Sequence, residues 1–450
     1  MNCKHACATI IVVIGMLFCC TFLSANSRLS ANHVGKLTLR ENETIIVFAP
    51  HPDDEIIGCA GIIQECLAKH GKVYIVFLTN GDHNQFAFKA YTKKIALTPT
   101  DYIKLGEIRR QESTRSSNIM GIPSENLIFL GYPDCGTLKM WENYWNTQKP
   151  FKNFFTRKNF VPYLDTPLYG EAYLPENIEN NIQHILEEIK PSRIFVSHPA
   201  DQNSDHRALF NFVYLALLDC KNIEYPQIYC YLVHAKGWPK PKGVFTNITM
   251  KPPEPMCQRD DWVSFALTRT QKDNKACALD CFKSQLLGKK NWMFSFVRTN
   301  EIFQQISFTM LQNKEIPEIT QEESLKRSKV YNLKLGTDPD GIIFNLAFDK
   351  KLLEPEFGVK VYLYPWRKDI PFSLMPKILL QVKLDGKITI YDNEKKIALT
   401  DILVDKSNKN YIFKFPMEIL ANPDAVFIGG ETKISTLTLD FFPWQVVRPN

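Results

Sequence analysis

The chain has 450 residues, of which 45% are apolar and 23% charged, and its formal net charge is +6 at pH 7. This composition is ordinary for a globular protein and excludes a largely disordered or fibrous chain. The charge is small for this length and no nucleic-acid-binding motif is present, so we expect no nucleic-acid partner. The length exceeds that of one typical domain and predicts two.

An apolar run near the N-terminus predicts export. Ala6–Ala25 is almost unbroken in its apolar character after Lys4, and residues 25–27 (Ala-Asn-Ser) offer small side chains to a signal peptidase. The run is also long enough to span a bilayer as a helix. We therefore expect residues 1–27 to be a signal peptide or a membrane anchor. The protein would then be periplasmic, extracellular or membrane-anchored, with membrane association through this segment.

Strands and helices alternate from Thr44 onward. Thr44–Ala49 (TIIVFA) is a short apolar, β-branched run typical of a buried strand, and Ile56–His70 then has apolar residues at helical spacing. The alternation continues to about His234, interrupted by the long polar and aromatic segment Asn80–Pro99, which we expect to be a loop. This pattern predicts an α/β fold with a Rossmann-like, mostly parallel sheet and helices on both faces. No GxGxxG follows the first strand, so nucleotide binding is not supported.

Two polar turns follow predicted strands and could share one metal ion. His51, Asp53 and Asp54 lie where the first strand meets a helix, the position at which open α/β sheets bind ligands. A second stretch, Ser197–Ala208 (SHPADQNSDHRA), follows the strand Arg193–Val196 in the same way. One imidazole with adjacent carboxylates suits zinc, and two facing turns could supply three ligands and leave a fourth position for water.

The same residues also have purely structural interpretations. Asp53 and Asp54 could cap the following helix, because aspartate is a favoured N-cap residue. His206 could be a core histidine. The aromatic residues from Trp141 to Phe155 could stack on sugars, although aromatic side chains more often build a core.

The two motifs together resemble those of the PIG-L/LmbE-like zinc-dependent N-acetylglucosaminyl deacetylases. The motifs are HPDDE at His51–Glu55 and HPxDxxxDHRA at His198–Ala208. Smaller agreements follow in the order of the family, namely LTNG at Leu78–Gly81, Arg109 with Glu112, Gly121, Asp134, Lys275, Ser284 with Gln285, and Arg298 with Glu301. The resemblance covers roughly residues 40–305 and implies a deacetylase domain over residues 36–312.

The resemblance implies a role for the matching residues of the two turns. His51, Asp54 and His206 would bind Zn²⁺, and Asp53 would be the catalytic base that takes a proton from the attacking water. The residues expected to contact the substrate are Arg109, Asp134, His198, Asn203 and Asp205.

Asn203 departs from the family pattern. Family members usually carry histidine here, three residues before the ligand histidine, where it is thought to stabilise the charged tetrahedral intermediate. An amide can donate a hydrogen bond to an oxyanion but cannot supply a proton. His198 could take over this role, the activity could be reduced, or the substrate could differ.

The pattern changes from about Lys329, where short period-two runs recur and Asp385-Gly386 provides a hairpin turn. These runs predict a β-sandwich domain over residues 329–450, joined to the first domain by the charged linker Asn313–Ser328. A carbohydrate-binding or cell-surface role and a purely structural role are both open for this domain.

The sequence therefore predicts an exported zinc-dependent hydrolase that removes the N-acetyl group from an N-acetylglucosamine-type sugar or glycoconjugate. Its expected cofactor is Zn²⁺ and its expected partner is the N-acetylated amino-sugar substrate. The alternative is a catalytically weakened carbohydrate-binding protein that retains the deacetylase fold, which Asn203 favours and the intact HPDDE motif opposes. A zinc hydrolase of another amide, such as a peptide, is a third hypothesis, weakened by the absence of HExxH.

Overall fold

A computed structural model describes residues 34–257, 261–306, 309–310, 330–338, 341–348, 356–398, 402–407, 410–435 and 437–449. The predicted leader (residues 1–27) and the predicted linker (Asn313–Ser328) lie outside these residues. Within the described ranges, no helix has both the length and the apolar character that a membrane span requires.

One mostly parallel sheet organises the first part of the chain. Its strands are β1 (Gly35–Lys36), β2 (Thr44–Ala49), β3 (Lys72–Thr79), β4 (Leu127–Tyr132), β5 (Arg193–Ser197), β6 (Gln227–Tyr231), β7 (Trp262–Ala266) and β8 (Asn300–Ile306). They lie in the order β1-β7-β8-β6-β5-β2-β3-β4. Neighbouring strands are parallel except where β8 pairs antiparallel with β6 and β7. The predicted mostly parallel sheet is confirmed.

Helices cover both faces of this sheet, as predicted. The α-helices described in this part are α1 (Asp54–Ala68), α2 (Gln85–Thr92), α3 (Pro99–Met120), α4 (Thr137–Asn143), α5 (Pro175–Ile189), α6 (Ser204–Asp219), α7 (Arg269–Leu279) and α8 (Lys283–Phe294). Short 3-10 helices occupy Ser124–Asn126 and Glu254–Met256. In β2, Ile46 and Phe48 belong to a core shared with α5 and α6, whereas Ile45 and Val47 belong to a core shared with α1 and α7. Alternate residues of a strand point to opposite faces, so both faces are buried.

The two polar turns meet where the strand order changes direction. From β2 the chain adds β3 and β4 on one side, while β5 and β6 lie on the other side. Val47 of β2 is in register with Phe195 of β5, and the two strands are parallel. Their carboxyl ends therefore lie side by side at the position where doubly wound sheets bind ligands.

The C-terminal region is built from two largely antiparallel sheets. The first contains β10 (Val330–Asp338), β11 (Gly341–Phe348), β16 (Leu403–Ser407) and β17 (Asn410–Pro416). The second contains β9 (Thr309–Met310), β12 (Phe357–Trp366), β13 (Ile378–Lys383), β14 (Ile388–Asp392), β15 (Lys395–Ile397), β18 (Ala425–Ile434) and β19 (Leu437–Arg448), with a 3-10 helix at Phe372–Leu374. Phe344 and Phe413 from the first sheet share a hydrophobic core with Val361 and Leu380 from the second. The predicted β-rich region is confirmed, while its assignment as a sandwich and the domain bounds 36–312 and 329–450 stay predictions.

The C-terminal region packs on the helices of the first sheet. Trp141 of α4 is fully buried, and its ring lies among those of Tyr364, Phe372, Phe427 and Trp444 at centroid distances of 5.2–6.2 Å. The core interpretation of the aromatic segment therefore holds for Trp141.

Candidate active site

The turn after β2 carries the adjacent carboxylates of Asp53 and Asp54. Thr79, at the end of β3, donates hydrogen bonds from both its backbone N and its Oγ1 to the carbonyl of Pro50, which fixes the start of the turn. Asp53 then adopts a positive φ of 125°, and α1 begins at Asp54. The Asp53 side chain makes no capping hydrogen bond to the helix, so the capping interpretation does not account for it.

The turn after β5 carries the second half of the site. Asn203 is the N-cap of α6, and its Oδ1 accepts a hydrogen bond from the backbone N of Asp205 at 2.9 Å. His206 follows in the first turn of α6 and is completely buried. The Ser197 hydroxyl, at the end of β5, donates to the His206 carbonyl at 2.8 Å and ties the helix to the strand.

His51, Asp54 and His206 converge on one point. Asp54 Oδ2 lies 3.1 Å from His51 Nδ1 and 3.1 Å from His206 Nε2. One ligand atom from each residue lies within 4.8 Å of the others, a spacing compatible with a single metal ion. Neither ring nitrogen of His206 makes a hydrogen bond of acceptable geometry although both are buried, and coordination through Nε2 would satisfy one of them.

The electrostatics of this cluster favour a cation. Burial acts to lower the pKa of His51, but the nearby carboxylates, led by Asp134, outweigh it and raise that pKa well above its ordinary value. At His206, burial also acts to lower the pKa, but the negative charges of Asp201 and Asp54 outweigh it and raise the pKa to about 9. The negative charge that would hold a proton on each imidazole would also stabilise a divalent ion, whose binding requires neutral histidines.

Asp53 is paired with Arg109. The guanidinium Nη2 lies 3.1 Å from Asp53 Oδ2 and also donates to the carbonyl of Pro52 at 2.6 Å, while Nη1 donates to the carbonyl of Gly81 at 2.9 Å. Burial raises the pKa of Asp53 to about 6, against the opposing charge of Arg109. Arg109 is therefore positioned to orient the predicted base.

Asp134 and Asp205 lie on the far side of His51. Each has a carboxylate oxygen 3.4 Å from His51 Nε2. Asp205 is fully buried and accepts hydrogen bonds from the backbone N of Cys135 at 2.7 Å and of Thr137 at 3.2 Å. Asp134 lines the cavity described below, whereas Asp205 contacts His51 and the backbone of the loop after β4, so substrate contact by Asp205 stays a prediction.

Asp201 is a buried residue of the site that sequence reasoning missed. Its Oδ2 lies 3.2 Å from His206 Nδ1 and accepts hydrogen bonds from the backbone N of Val233 and His234 at 3.0 and 2.9 Å. A carboxylate in this position orients a metal-binding histidine and sets its tautomer. The signal available in the sequence was its place in the same turn as Asn203 and His206.

A cavity of about 260 Å³ opens beside the cluster. It is lined by His51, Asp53, Asp54, His83, Asn84, Arg109, Asp134, Cys135, Asn203, His234, Gln285, Lys289 and Trp292. A larger cavity of about 730 Å³ lies on the side of Trp238 and Phe441, but it contains neither histidines nor the carboxylates of the cluster. The smaller cavity is therefore the candidate active site.

His234, Lys289 and Trp292 line the cavity although no sequence pattern indicated them. The His234 ring stacks on Trp292 at a centroid distance of 5.1 Å and meets His206 edge to face at 4.8 Å. Burial lowers the pKa of His234 to about 4, so its imidazole is neutral near pH 7. Burial also lowers the pKa of Lys289. His234 lies in the segment after β6, and Lys289 and Trp292 lie on α8. Both segments are outside the two motifs.

The described contacts of His198 lie outside the cavity, and the prediction that it contacts the substrate stays a prediction. Its Nε2 faces Gln304 Oε1, its Nδ1 accepts a hydrogen bond from the backbone N of Ala200 at 2.9 Å, and its ring stacks on Trp262 at 5.9 Å. It does not line the cavity, so its position does not favour it as a replacement for the histidine that the family carries at the position of Asn203.

The fold and the clustered residues define an α/β domain with a candidate metal site at its topological switch point. Residues 46–217 match the model of the PIG-L family, described as GlcNAc-PI de-N-acetylase. The family assignment made from the two motifs is confirmed for this part of the chain.

Individual relatives are distant. A putative glucosamine-6-phosphate deaminase-like protein of Bacteroides thetaiotaomicron is 24% identical over 190 residues, which are 38% of this chain; the chain spans 27% of the length of that relative. Among solved structures, the N,N'-diacetylchitobiose deacetylase from Pyrococcus horikoshii is 16% identical, with 59% of this chain and 84% of that chain covered and a TM-score of 0.37. A conserved protein from Thermus thermophilus is 17% identical, with 58% and 94% covered and a TM-score of 0.35.

Proposed function

We propose that the protein is a zinc-dependent deacetylase that removes the acetyl group from an N-acetylglucosamine-type sugar or glycoconjugate. The observation that carries the proposal is the convergence of His51, Asp54 and His206 beside Asp53, within the segment that matches the PIG-L family. Two imidazoles and one carboxylate with an open cavity beside them form the ligand set typical of catalytic zinc.

His51, Asp54 and His206 would hold the ion. Zinc bound there would lower the pKa of a bound water towards about 7 and polarise the carbonyl of the acetamido group. Asp201 would keep His206 in position through Nδ1, and Asp205 would do the same for His51 through Nε2.

Asp53 would take the proton of the attacking water and later deliver it to the leaving amine. It lines the cavity beside the metal-binding residues, and Arg109 fixes its Oδ2 at 3.1 Å. Its pKa of about 6 leaves it ionised at neutral pH, as a general base must be. The C–N bond of the amide is broken, water supplies the oxygen, and the products are acetate and the free amine.

Neutral donors in the cavity would stabilise the developing oxyanion. The Asn203 side chain uses its Oδ1 to cap α6, which leaves its Nδ2 as the donor that can face the cavity. His234 lines the same cavity as a neutral imidazole, because burial lowers its pKa to about 4. Hydrogen-bond donors held in place before the reaction are effective oxyanion stabilisers even when they supply no proton.

Acetate release from N-acetylglucosaminides, measured on the zinc-loaded full chain, tests this function. We expect release by the natural chain and a fall in kcat of about 10²–10⁴-fold in Asp53→Asn, with zinc content unchanged. Undiminished release by Asp53→Asn would refute the assignment of the base. Bound zinc without release from any such glycoside would instead favour the carbohydrate-binding alternative, which Asn203 supports.

We also propose that the protein is exported. The support is the apolar run Ala6–Ala25, which lies outside the described residues. The mass and location of the mature chain, recovered by fractionating its host, would decide between a cleaved leader and an anchor, and an intact chain in the cytoplasm would rule out both.

A further inference from the structure

A second group of side chains that could bind a metal ion lines the cavity. His83 Nδ1 is 2.8 Å from Cys135 Sγ, and the backbone N of His83 donates to Asp134 Oδ2 at 2.9 Å. One ligand atom from each of the three residues lies within 4.8 Å of the others. Sulfur, imidazole nitrogen and carboxylate oxygen are together the donors that zinc and cadmium prefer.

The backbone holds these three side chains in place. Cys135 has a positive φ of 58°, and its backbone N donates to the buried Asp205 at 2.7 Å. The His83 ring packs on Phe155 at a centroid distance of 3.8 Å. Cys135 is solvent-exposed, so an ion could reach the sulfur from outside the cavity.

Only a small adjustment is needed to admit an ion. A tetrahedral zinc ion with ordinary bond lengths separates a nitrogen ligand and a sulfur ligand by about 3.5 Å. His83 Nδ1 and Cys135 Sγ now lie 2.8 Å apart, so a side-chain rotation of less than about 1 Å would suffice. The thiol proton would pass to solvent as the thiolate binds.

We propose that His83, Asp134 and Cys135 bind a second, thiophilic divalent ion that inhibits the enzyme. Asp134 links this group to the first, because its Oδ1 lies 3.4 Å from His51 Nε2. All three residues line the candidate active site, so an ion held by them occupies the path of the substrate. The binding of the ion stands on the geometry alone, whereas the inhibition rests on the proposed deacetylase function.

A cadmium titration of the metal-free full chain tests the site. The background variant Cys277→Ser removes the other exposed cysteine among the described residues, which lies on α7. In this background we expect cadmium to develop the ultraviolet charge-transfer band of a cadmium–thiolate bond. Adding Cys135→Ser should abolish the band, and adding His83→Ala should weaken cadmium binding by at least about tenfold.

Two results would overturn the site. A band that persists at the same affinity in Cys135→Ser would place the thiolate elsewhere. An unchanged affinity in His83→Ala would reduce the site to a cysteine acting alone. Neither result depends on deacetylase activity, so failure of the proposed function would leave this titration decisive.

Inhibition is measured separately. Excess zinc should lower acetate release by the Cys277→Ser chain, and Cys135→Ser should raise the inhibitory zinc concentration by at least about tenfold, each variant being compared with its own uninhibited rate. A cadmium site of the expected composition together with equal inhibition of both variants would contradict the regulatory part of the proposal.

Discussion

Asp53 and Asp54 are neighbours in sequence, but their carboxylates serve different partners. Asp54 contacts His51 and His206, whereas Asp53 pairs with Arg109. The φ of 125° at Asp53 makes this division, and a backbone conformation of this kind costs roughly 1–3 kcal/mol in a residue other than glycine. The ion pair with Arg109 fixes the Asp53 carboxylate in this conformation, beside the metal-binding residues.

Asp201→Asn should weaken zinc binding by about 10–100-fold, because the carboxylate that orients His206 is lost. The amide would also place a donor against the backbone N–H groups of Val233 and His234, so a lower melting temperature is expected. Zinc affinity by chelator competition, together with thermal unfolding, checks both effects.

Asp273→Asn is the matched control, since Asp273 is 70% exposed on α7. We expect it to leave both zinc affinity and melting temperature unchanged. Equal zinc affinity in Asp201→Asn and Asp273→Asn would show that the buried carboxylate has no part in holding the ion.

The three residues that converge could be predicted because each follows a strand in a local pattern of histidine and aspartate. His51, Asp54 and His206 carry that pattern. His234 follows strand β6 and belongs to neither motif, so its place in the site could not be predicted from local sequence. Only the strand order of the sheet brings it to the cavity. His198 also follows a strand, but its ring turns towards Gln304, and side-chain direction is not encoded in spacing.

At the scale of elements, the Arg109 side chain packs closely against the backbone of Gly81 in the turn after β3. Gly81 has a φ of 68°, and a Cβ at this position would come within 2.1 Å of Arg109 Nη1. Arg109 reaches from α3 across to the turn after β2, so the spacing of three elements depends on this glycine.

Gly81→Ala should lower kcat while leaving zinc affinity intact, because the added methyl group displaces the guanidinium that orients Asp53. The positive φ adds a stability cost of roughly 1–2 kcal/mol. Steady-state kinetics and thermal unfolding measure the two effects.

Gly170→Ala separates the effect on kcat from the effect on stability. Gly170 has a φ of 86°, but no atom lies within 4 Å of its added Cβ. We expect a similar loss of stability without the loss in kcat, and an equal fall in kcat for both variants would contradict the role given to Arg109.

The helix α2 shows where element prediction fails. Asn80–Pro99 reads as a polar and aromatic loop, yet Gln85–Thr92 is helical. A helix of two turns is marginal on propensity alone, and α2 packs against α8, which is nearly 200 residues further along the chain. In contrast, the predicted helix Ile56–His70 matches α1 (Asp54–Ala68) to within two residues at each end, because its apolar periodicity is long.

At the scale of the whole molecule, a carboxyl pair lies where the C-terminal sheets meet the first domain. The Trp366 indole donates to Asp219 Oδ1 at 2.8 Å, and Glu179 of α5 shares a hydrogen bond with the same aspartate. Burial, followed by the contact with Asp219, raises the pKa of Glu179 to about 9. The proton that Glu179 retains therefore stabilises this interface.

The raised pKa of Glu179 should make the free energy of unfolding fall as the pH rises. The unfolded Glu179 loses its proton near its ordinary pKa of 4.5, whereas the folded one keeps it to about 9, so the stabilisation is complete below the lower value and is lost across this window. Glu179→Gln retains a donor but does not titrate. Its melting temperature relative to the natural chain should rise between about pH 5.5 and about pH 8.5.

Asp273→Asn is again the control, because Asp273 is 70% exposed and its ion-pair partner Arg269 stays charged throughout this range. Its melting temperature should keep a constant offset from the natural chain over that range. The same constant offset in Glu179→Gln would show that Glu179 releases its proton before the pH reaches the window.

The proposed activity depends on two distant turns holding one divalent ion. The most direct measurement is the zinc affinity of the Cys135→Ser chain, which lacks the thiolate of the second site, with and without His206→Ala. We expect one tightly held zinc ion per chain and its loss in His206→Ala. Equal zinc affinity in both variants would contradict the account.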